Sequence, residues 1–337
     1  MKIAIAKENR PREKRIIIQP PEINEIAARH EVIIEKEAGL GIDIPDKAFI
    51  DAGCKIGSRK EVYTSDLVVR IKEPSFEEIK MMKPGNIIMS MMHIRCRPKL
   101  EEQLRKQRLI VIPLENLKGP LGKRKVEAVN DSGRIGMDYA FKLWGKNPAT
   151  ANVKTMGYGN MAIGAIRCCA RKSAKVTILN KKDFLEMDKH IPGTDILVDA
   201  VNRPYRRDVK KESPFVTRKM LKLFKTGSVI VDLVSNPENH APVETMRPTT
   251  LDNLHYMVGG IYHTSCWGWP GLEPKTIAKR YSFQLAPILK DLADNGIDRC
   301  NDMIKAAILN YTIPMSYPSN KPLIKKSKFS LLGKIRI

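Results

Sequence analysis

The stretch MGYGNMAIGA, Met156–Ala165, decides how the chain is read. Gly157, Gly159 and the small residue Ala162 approximate the fingerprint in which glycine permits a tight turn and lets backbone N–H groups approach a pyrophosphate. Alone this is a weak signal, so the flanks matter. NVKTM before it reads as a strand, AIGAIRCCARKSA after it as a helix, and KVTILN (175–180) as an apolar, β-branched run suited to a second buried parallel strand. Strand, glycine turn, helix, strand is the order of a dinucleotide-binding unit, with Asn160 inside the turn.

Outward from the loop the α/β pattern continues. Upstream, KIAIAKE, EVIIEKE, DLVVRIKEP, KPGNIIMSMMH and RLIVIPLEN read as strands. PPEINEIAAR, PDKAFIDAG and KLEEQLRKQ read as helices between them, the alternation of a parallel sheet. GPLGKRKVEAVN (119–130) is polar and marks a crossover. The glycine-loop unit extends through TDILVDAVNRP, SVIVDLVSNP and IYHTSCWGWPG. After it, KRYSFQLAPILKDLADNGI reads as a long amphipathic helix able to return to the first domain. The basic tail KPLIKKSKFSLLGKIRI receives no assignment.

At 337 residues the chain can build two cores. It contains no apolar run of about 18 residues, and MKIAIAKE lacks the features of a signal peptide, so a soluble, cytoplasmic protein without membrane association is expected. Six cysteines without a C-x-x-C pair and scattered histidines suggest free thiols and no metal site. The net charge of +22 is spread over the chain without a nucleic-acid-binding motif. It is read as a solvated basic surface that attracts anionic small molecules rather than nucleic acid.

MKIAIAKENRPREKRIIIQPPEI, RIKEP, KPGNIIMSMMH, the glycine loop, LFKTGSVIVDL and ETMRPTTLDN follow one another along about residues 1–296. In that order they resemble the alanine dehydrogenase and pyridine-nucleotide transhydrogenase family, a broad group that includes saccharopine dehydrogenases and carboxyethyl-ornithine synthase. The resemblance implies an α/β fold of two Rossmann-like, doubly wound domains around an active-site cleft, the first domain discontinuous. The expected boundaries are 1–124 plus 285–337 for the substrate domain and 125–284 for the dinucleotide-binding domain. It further implies a nicotinamide-dependent oxidoreductase that acts on an amino acid and its oxo-acid by hydride transfer at a C–N bond, as a homo-oligomer.

Carried over residue by residue, the family's carboxylate-binding arginine falls on Arg15, its substrate lysine on Lys72 and its active-site histidine on His93. A guanidinium can grip a carboxylate, and an ammonium and an imidazole can polarise and protonate a carbonyl or imine. Ala200 and Val201, ending the run ILVDAV, complete the expected cofactor contacts. CWGWPG (266–271) stands where the family closes over the nicotinamide. One departure is notable: the family's amino-acid dehydrogenases carry an aspartate four positions past Asp232, and here that position is Asn236, expected in the substrate site, which cannot take a proton. Glu238 or His240 are candidate replacements. The alternative expectation is therefore a catalytically altered, nucleotide-binding regulatory or scaffold protein.

Cofactor choice is read from the end of the strand after the glycine loop. An NAD-preferring site presents Asp or Glu there to the ribose 2′-hydroxyl. This chain has Asn180 followed by Lys181 and Lys182, so NADP(H) is expected over NAD(H).

Overall fold

The computed structural model describes residues 1–203, 213–236 and 240–312. Glu238 and the basic tail from 313 onward lie outside the described residues. In chain order the regular elements are β1 (Lys2–Ile5), α1 (Pro20–Ala27), β2 (Glu31–Glu35), α2 (Asp46–Asp51), β3 (Lys55–Gly57), α3 (Arg59–Tyr63), β4 (Leu67–Lys72), α4 (Phe76–Met81), β5 (Ile87–Met91), α5 (Pro98–Lys106) and β6 (Ile110–Pro113). They continue with α6 (Val129–Trp144), β7 (Asn152–Met156), α7 (Asn160–Arg171), β8 (Lys175–Leu179), α8 (Met187–His190), β9 (Ile196–Asp199) and β10 (Val229–Asp232). The last are β11 (Tyr256–Val258), β12 (Ile261–Thr264), α9 (Pro274–Arg299), α10 (Asp302–Ala307) and β13 (Leu309–Asn310).

Two sheets result. The first has the strand order β13-β6-β5-β4-β1-β2-β3, parallel except for β13, and the second β11-β12-β10-β9-β7-β8, parallel except for β11. The central strands are Val- and Ile-rich and buried because helices cover both faces of a parallel sheet. Ser58 with Glu61 and Ser75 with Glu78 form capping boxes that start α3 and α4, satisfying backbone donors that would otherwise be orphaned.

The expected two-domain α/β class with a discontinuous first domain is borne out. β13 pairs with β6, and α9 returns to the first sheet through Gln19 N–H to the Ser282 hydroxyl (2.7 Å), Lys290 to Glu25 (2.7 Å) and His30 to Asp294 (2.8 Å). Position 284/285 falls inside α9, which is one helix as far as a break at Gly296 (φ 67°).

One expectation is corrected. KVTILN does not form a buried strand: among the described residues β8 is the sheet edge, paired only with β7, and Thr177 and Ile178 are exposed because short helical turns follow it. The crossover 119–130 is partly a tight hairpin, with Lys118 bridged to Arg124 and Gly119 N–H bonded to the Lys123 carbonyl.

Helix α6, which the apolar pattern of the sequence does not single out, clamps the glycine loop. A Cβ on Gly133 would lie 1.9 Å from the Met161 carbonyl oxygen, and one on Gly164 2.0 Å from the Asn130 carbonyl oxygen. The two helices therefore touch backbone to backbone at these glycines, which sets where α7 begins. Gly133→Ala and Gly164→Ala are each expected to destabilise by ~1–3 kcal/mol or more, since backbone cannot yield as a side chain does. Denaturant unfolding checks this, with Gly145→Asn as control at a left-handed helix end that has open space.

Candidate active site

The C-terminal ends of β4 and β5 bring the first group of residues together. Lys72 ends β4 and is the register partner of Met91, so His93 follows two residues further along the neighbouring strand. The Glu8 carboxylate receives the N–H groups of Ile71 (2.6 Å) and Lys72 (3.2 Å), at a point where the register of the β4–β5 pair shifts. Arg70, fully buried one residue earlier, holds Glu8 (3.3 Å), Glu78 (2.8 Å) and Asn9 (3.0 Å). Lys72 is thus fixed from behind by a buried charge network, while its own ammonium has no hydrogen-bond or ion-pair partner among the described residues. Burial first, then the nearby Arg15 charge, bring its pKa down to about 8.

His93 has left-handed backbone (φ 48°) stabilised by Glu115, whose carboxylate accepts the N–H groups of His93 (2.5 Å) and Met92 (3.1 Å). Burial lowers the imidazole pKa against the opposing pull of Glu115, and the charges of Arg124, Lys72 and Arg10 lower it further. The ring therefore stays neutral through neutral pH and can accept a proton.

Arg15 completes the group. It is buried, and Glu13 grips it through Nε (2.7 Å) and Nη2 (2.5 Å). Tyr281 of α9 lies with its ring centre 5.5 Å from the guanidinium carbon. Nη1 is left buried without a hydrogen-bond partner among the described residues. A buried, unmatched donor costs ~1–3 kcal/mol, which an arriving acceptor recovers.

The facing wall comes from CWGWPG. Trp267 meets the His93 ring edge-on at 5.8 Å and lies under the Arg97 guanidinium at 5.7 Å. The Lys72 charge is felt by Cys266. Glu73 pairs with both Arg10 and Arg97, and Arg12 reaches Asp252 at 2.5 Å. The two tryptophans separate in role: Trp267 is exposed to the cleft, and Trp269 is buried in the core with its Nε1 donating to the Asp232 carbonyl.

The glycine loop forms the other half of the cleft. Gly157 (φ 92°) needs the left-handed region, and a Cβ there would press on the Ala200 carbonyl at 3.0 Å. Gly159 opens α7 with ordinary φ (−78°) and nothing within 4 Å of a built Cβ. Asn160 and buried Ala162 belong to the first turn of α7, whose free N–H groups can cradle a phosphate. Between this helix end and the hairpin lies a cavity of about 520 Å³ lined by Lys118, Lys123, Arg124, Asn130 and Asn160. Their separation from the loop along the chain hides this proximity in the sequence.

Asn180 does not project freely. Its side-chain oxygen accepts the Lys182 N–H (2.9 Å) and its own N–H goes to Asp183 (2.7 Å). The turn leaves Lys181 and Lys182 exposed beside the strand end. Asn236 is buried and occupied on both sides: Nδ2 donates to the Val201 carbonyl (2.8 Å) and Oδ1 accepts the Arg203 N–H (2.9 Å). It straps the loop after β9 to the loop after β10. His240 is likewise buried, and its carbonyl accepts from Arg203.

Residues 4–134 match the family model described as alanine dehydrogenase/PNT, N-terminal domain, and residues 181–313 the one described as alanine dehydrogenase/PNT, C-terminal domain. The chain belongs to this family. The glycine loop lies between the two matched segments. An alanine dehydrogenase from Staphylococcus haemolyticus is 28% identical over 88% of this chain and 88% of its own length. One from Methanococcus maripaludis is also 28% identical, over the same shares. Among solved structures, an L-alanine dehydrogenase superposes with TM-score 0.81 at 22% identity, covering 93% of this chain and 96% of its own. A transhydrogenase from Sinorhizobium meliloti does so with TM-score 0.78 at 20% identity, covering 95% and 100%. These likenesses agree with the two-sheet fold. Among the described residues no helix is long and apolar enough to cross a membrane, and no cluster suits a metal ion.

Two outcomes follow from the geometry. Folded Lys72 loses its proton near pH 8, whereas the unfolded side chain keeps it to about 10.5. Lys72→Met is therefore expected to raise the melting temperature below pH 8, with the gain shrinking as pH rises towards 10.5. Asn236→Asp would set a carboxylate against the Val201 carbonyl, and is expected to cost ~1–3 kcal/mol in denaturant unfolding.

Proposed function

We propose that the protein is a nicotinamide-dependent oxidoreductase that transfers a hydride at the C–N bond of an amino acid and oxo-acid pair, acting on CH–NH₂ or CH–NH groups. The observation that carries this reading is the buried Nη1 of Arg15 next to the Lys72 ammonium, both without a hydrogen-bond partner among the described residues. An oxo-acid carboxylate suits Arg15, and its carbonyl or imine oxygen or nitrogen then falls to Lys72 and His93. The family's alanine dehydrogenases support the amino-acid substrate class. The finer choice, between an alanine dehydrogenase-like reaction and an opine or carboxyethyl-ornithine synthase-like one, turns on whether ammonia or the amine of a second amino acid is joined to the oxo-acid. The residue ranges 1–124 with 285–337 and 125–284 are proposed as substrate and cofactor domains, and a homo-oligomer as the working form.

The cofactor's chemistry is hydride donation and acceptance; the residues that would hold it are Gly157, Gly159, Asn160, Ala162, Ala200 and Val201, with Asn180, Lys181 and Lys182 at the ribose. They suit it: Gly159 leaves open the space a Cβ would fill, and helix α7 starts there. Lys72 and His93 move or hold the proton at the substrate carbon's heteroatom. Asn236 has both polar groups engaged by backbone, so the aspartate's proton role passes to Lys72 and His93. That same engagement favours the alternative of a non-catalytic nucleotide-binding protein, and the experiment separates the two.

A coupled absorbance screen of amino acids, and of oxo-acids with ammonia or amino acids, is expected to show cofactor-dependent turnover. His93→Ala and Lys72→Ala should each lower it by about 10² or more, the usual scale for losing a general acid or base. Cofactor binding without turnover on any pair would instead support the regulatory reading. NADP(H) is expected to bind at least about tenfold more tightly than NAD(H), since one charge-assisted phosphate contact is worth ~1.5–3 kcal/mol. Lys181→Ala with Lys182→Ala should erase that ratio in direct titrations, and an unmoved ratio would remove both lysines from cofactor choice.

A further inference from the structure

Asp199 and Asp232 end the neighbouring parallel strands β9 and β10 as register partners, so their side chains leave the same face of the sheet. Both are fully buried. Asp232 is well supplied with donors: Val234 N–H (2.8 Å) and Ser235 N–H (2.8 Å) to Oδ1, and the Ser265 hydroxyl (2.9 Å) to Oδ2. Asp199 has one, the Val201 N–H to Oδ1 (3.0 Å), and its Oδ2 has no partner among the described residues. The surrounding strands offer little charge: β7 places Met156 beside Asp199, and β12 leads into Ser265. Among the described residues the Arg203 charge reaches Asp199, and burial outweighs it. Two carboxylates side by side in a dry site do not both ionise.

We propose that Asp199 and Asp232 hold one proton between them, carried on Asp199, and that this neutral-plus-anionic pair positions the shelf on which the cofactor lies. The shelf consists of Ala200 and Val201 after β9 and residues 233–236 after β10. Asp199 holds the first loop through Val201, Asp232 holds the second through Val234 and Ser235, and Asn236 ties the two together at Val201. Neither carboxylate touches the reacting atoms; both are positioning residues. The shelf's role rests on the proposed cofactor site, whereas the shared proton does not.

Burial pushes both acids up, Asp232 to about 6 and Asp199 well above its ordinary range, with their mutual repulsion adding to the rise of Asp199. The folded state therefore keeps protons that the unfolded chain releases near pH 4, and stability from this pair is lost as pH rises through the folded values. Full ionisation puts two charges at adjacent strand ends and drives the tied loops apart.

The test uses the full chain with ¹³C-labelled aspartate carboxyls, together with Asp199→Asn, which keeps the acceptor for Val201 N–H and removes the second charge. A protonated-carboxyl infrared band is expected in the native protein at pH 7 and is expected to be missing from the variant. NADPH affinity of the native protein should weaken about tenfold between pH 6 and 9, and that of the variant should stay within about twofold. Lys72 also titrates in this range, so both proteins are measured in a Lys72→Met background as well. Absence of the band from native protein at pH 6–7 overturns the shared proton without depending on whether the variant folds. Identical pH slopes in native protein and variant overturn the shelf. Failure to bind NADPH or NADH at any pH sinks the proposed function and the shelf with it, while the band still decides the shared proton.

Discussion

A guanidinium satisfied on one side only is the constraint around which the cleft is built. Glu13, two residues away, neutralises Arg15 and fixes its plane, Tyr281 from the returning helix α9 covers it, and Nη1 has no acceptor among the described residues. Burying such a group is expensive unless the molecule later supplies a partner. Burial of Lys72 first, and then the Arg15 charge, bring the Lys72 pKa down to about 8, where that amine can gain and lose a proton. The Arg15 charge and the Lys72 amine are thus electrostatically coupled. The dependence on α9 explains why the chain must come back to its first sheet after building the second.

The same logic recurs at the ends of β4, β5, β9 and β10. Glu8 and Arg70 organise the end of β4, Glu115 the turn after β5, and the two aspartates the ends of β9 and β10. In every case a carboxylate accepts backbone N–H groups where a parallel strand stops, because those donors have lost their ladder partners and water is excluded. Lys72 and His93 are themselves among the donors. Their backbone positions are therefore set by carboxylates from elsewhere in the chain.

Much of this was legible in the sequence. Apolar runs of Val and Ile mark the central strands, and the glycine loop announces its strand, turn and helix because each element there follows its local preference. Lys72, His93 and Arg15 could be mapped because they lie in ordered motifs, and the structure gathers them on one side of one cleft. What the sequence does not display is pairing across distance. Glu115, Tyr281 and the hairpin cations become neighbours of the site only through the sheet order and the return of α9. The edge position of β8 is hidden because an apolar, β-branched run reads the same at a sheet edge as at its centre. Asn236 reads as a lost aspartate, whereas its two hydrogen bonds show an amide chosen for bonding in both directions.

The proposed chemistry requires that a hydride reach a carbon bonded to nitrogen. Incubating the protein with NADPH deuterated at the transferable position, a series of oxo-acids, and either ammonia or amino acids, followed by mass spectrometry of the products, addresses this directly. The account predicts an amine product carrying one deuterium on the carbon next to both nitrogen and carboxylate. Cofactor that binds yet delivers no carbon-bound deuterium to any oxo-acid, with NADPH or NADH, would contradict it.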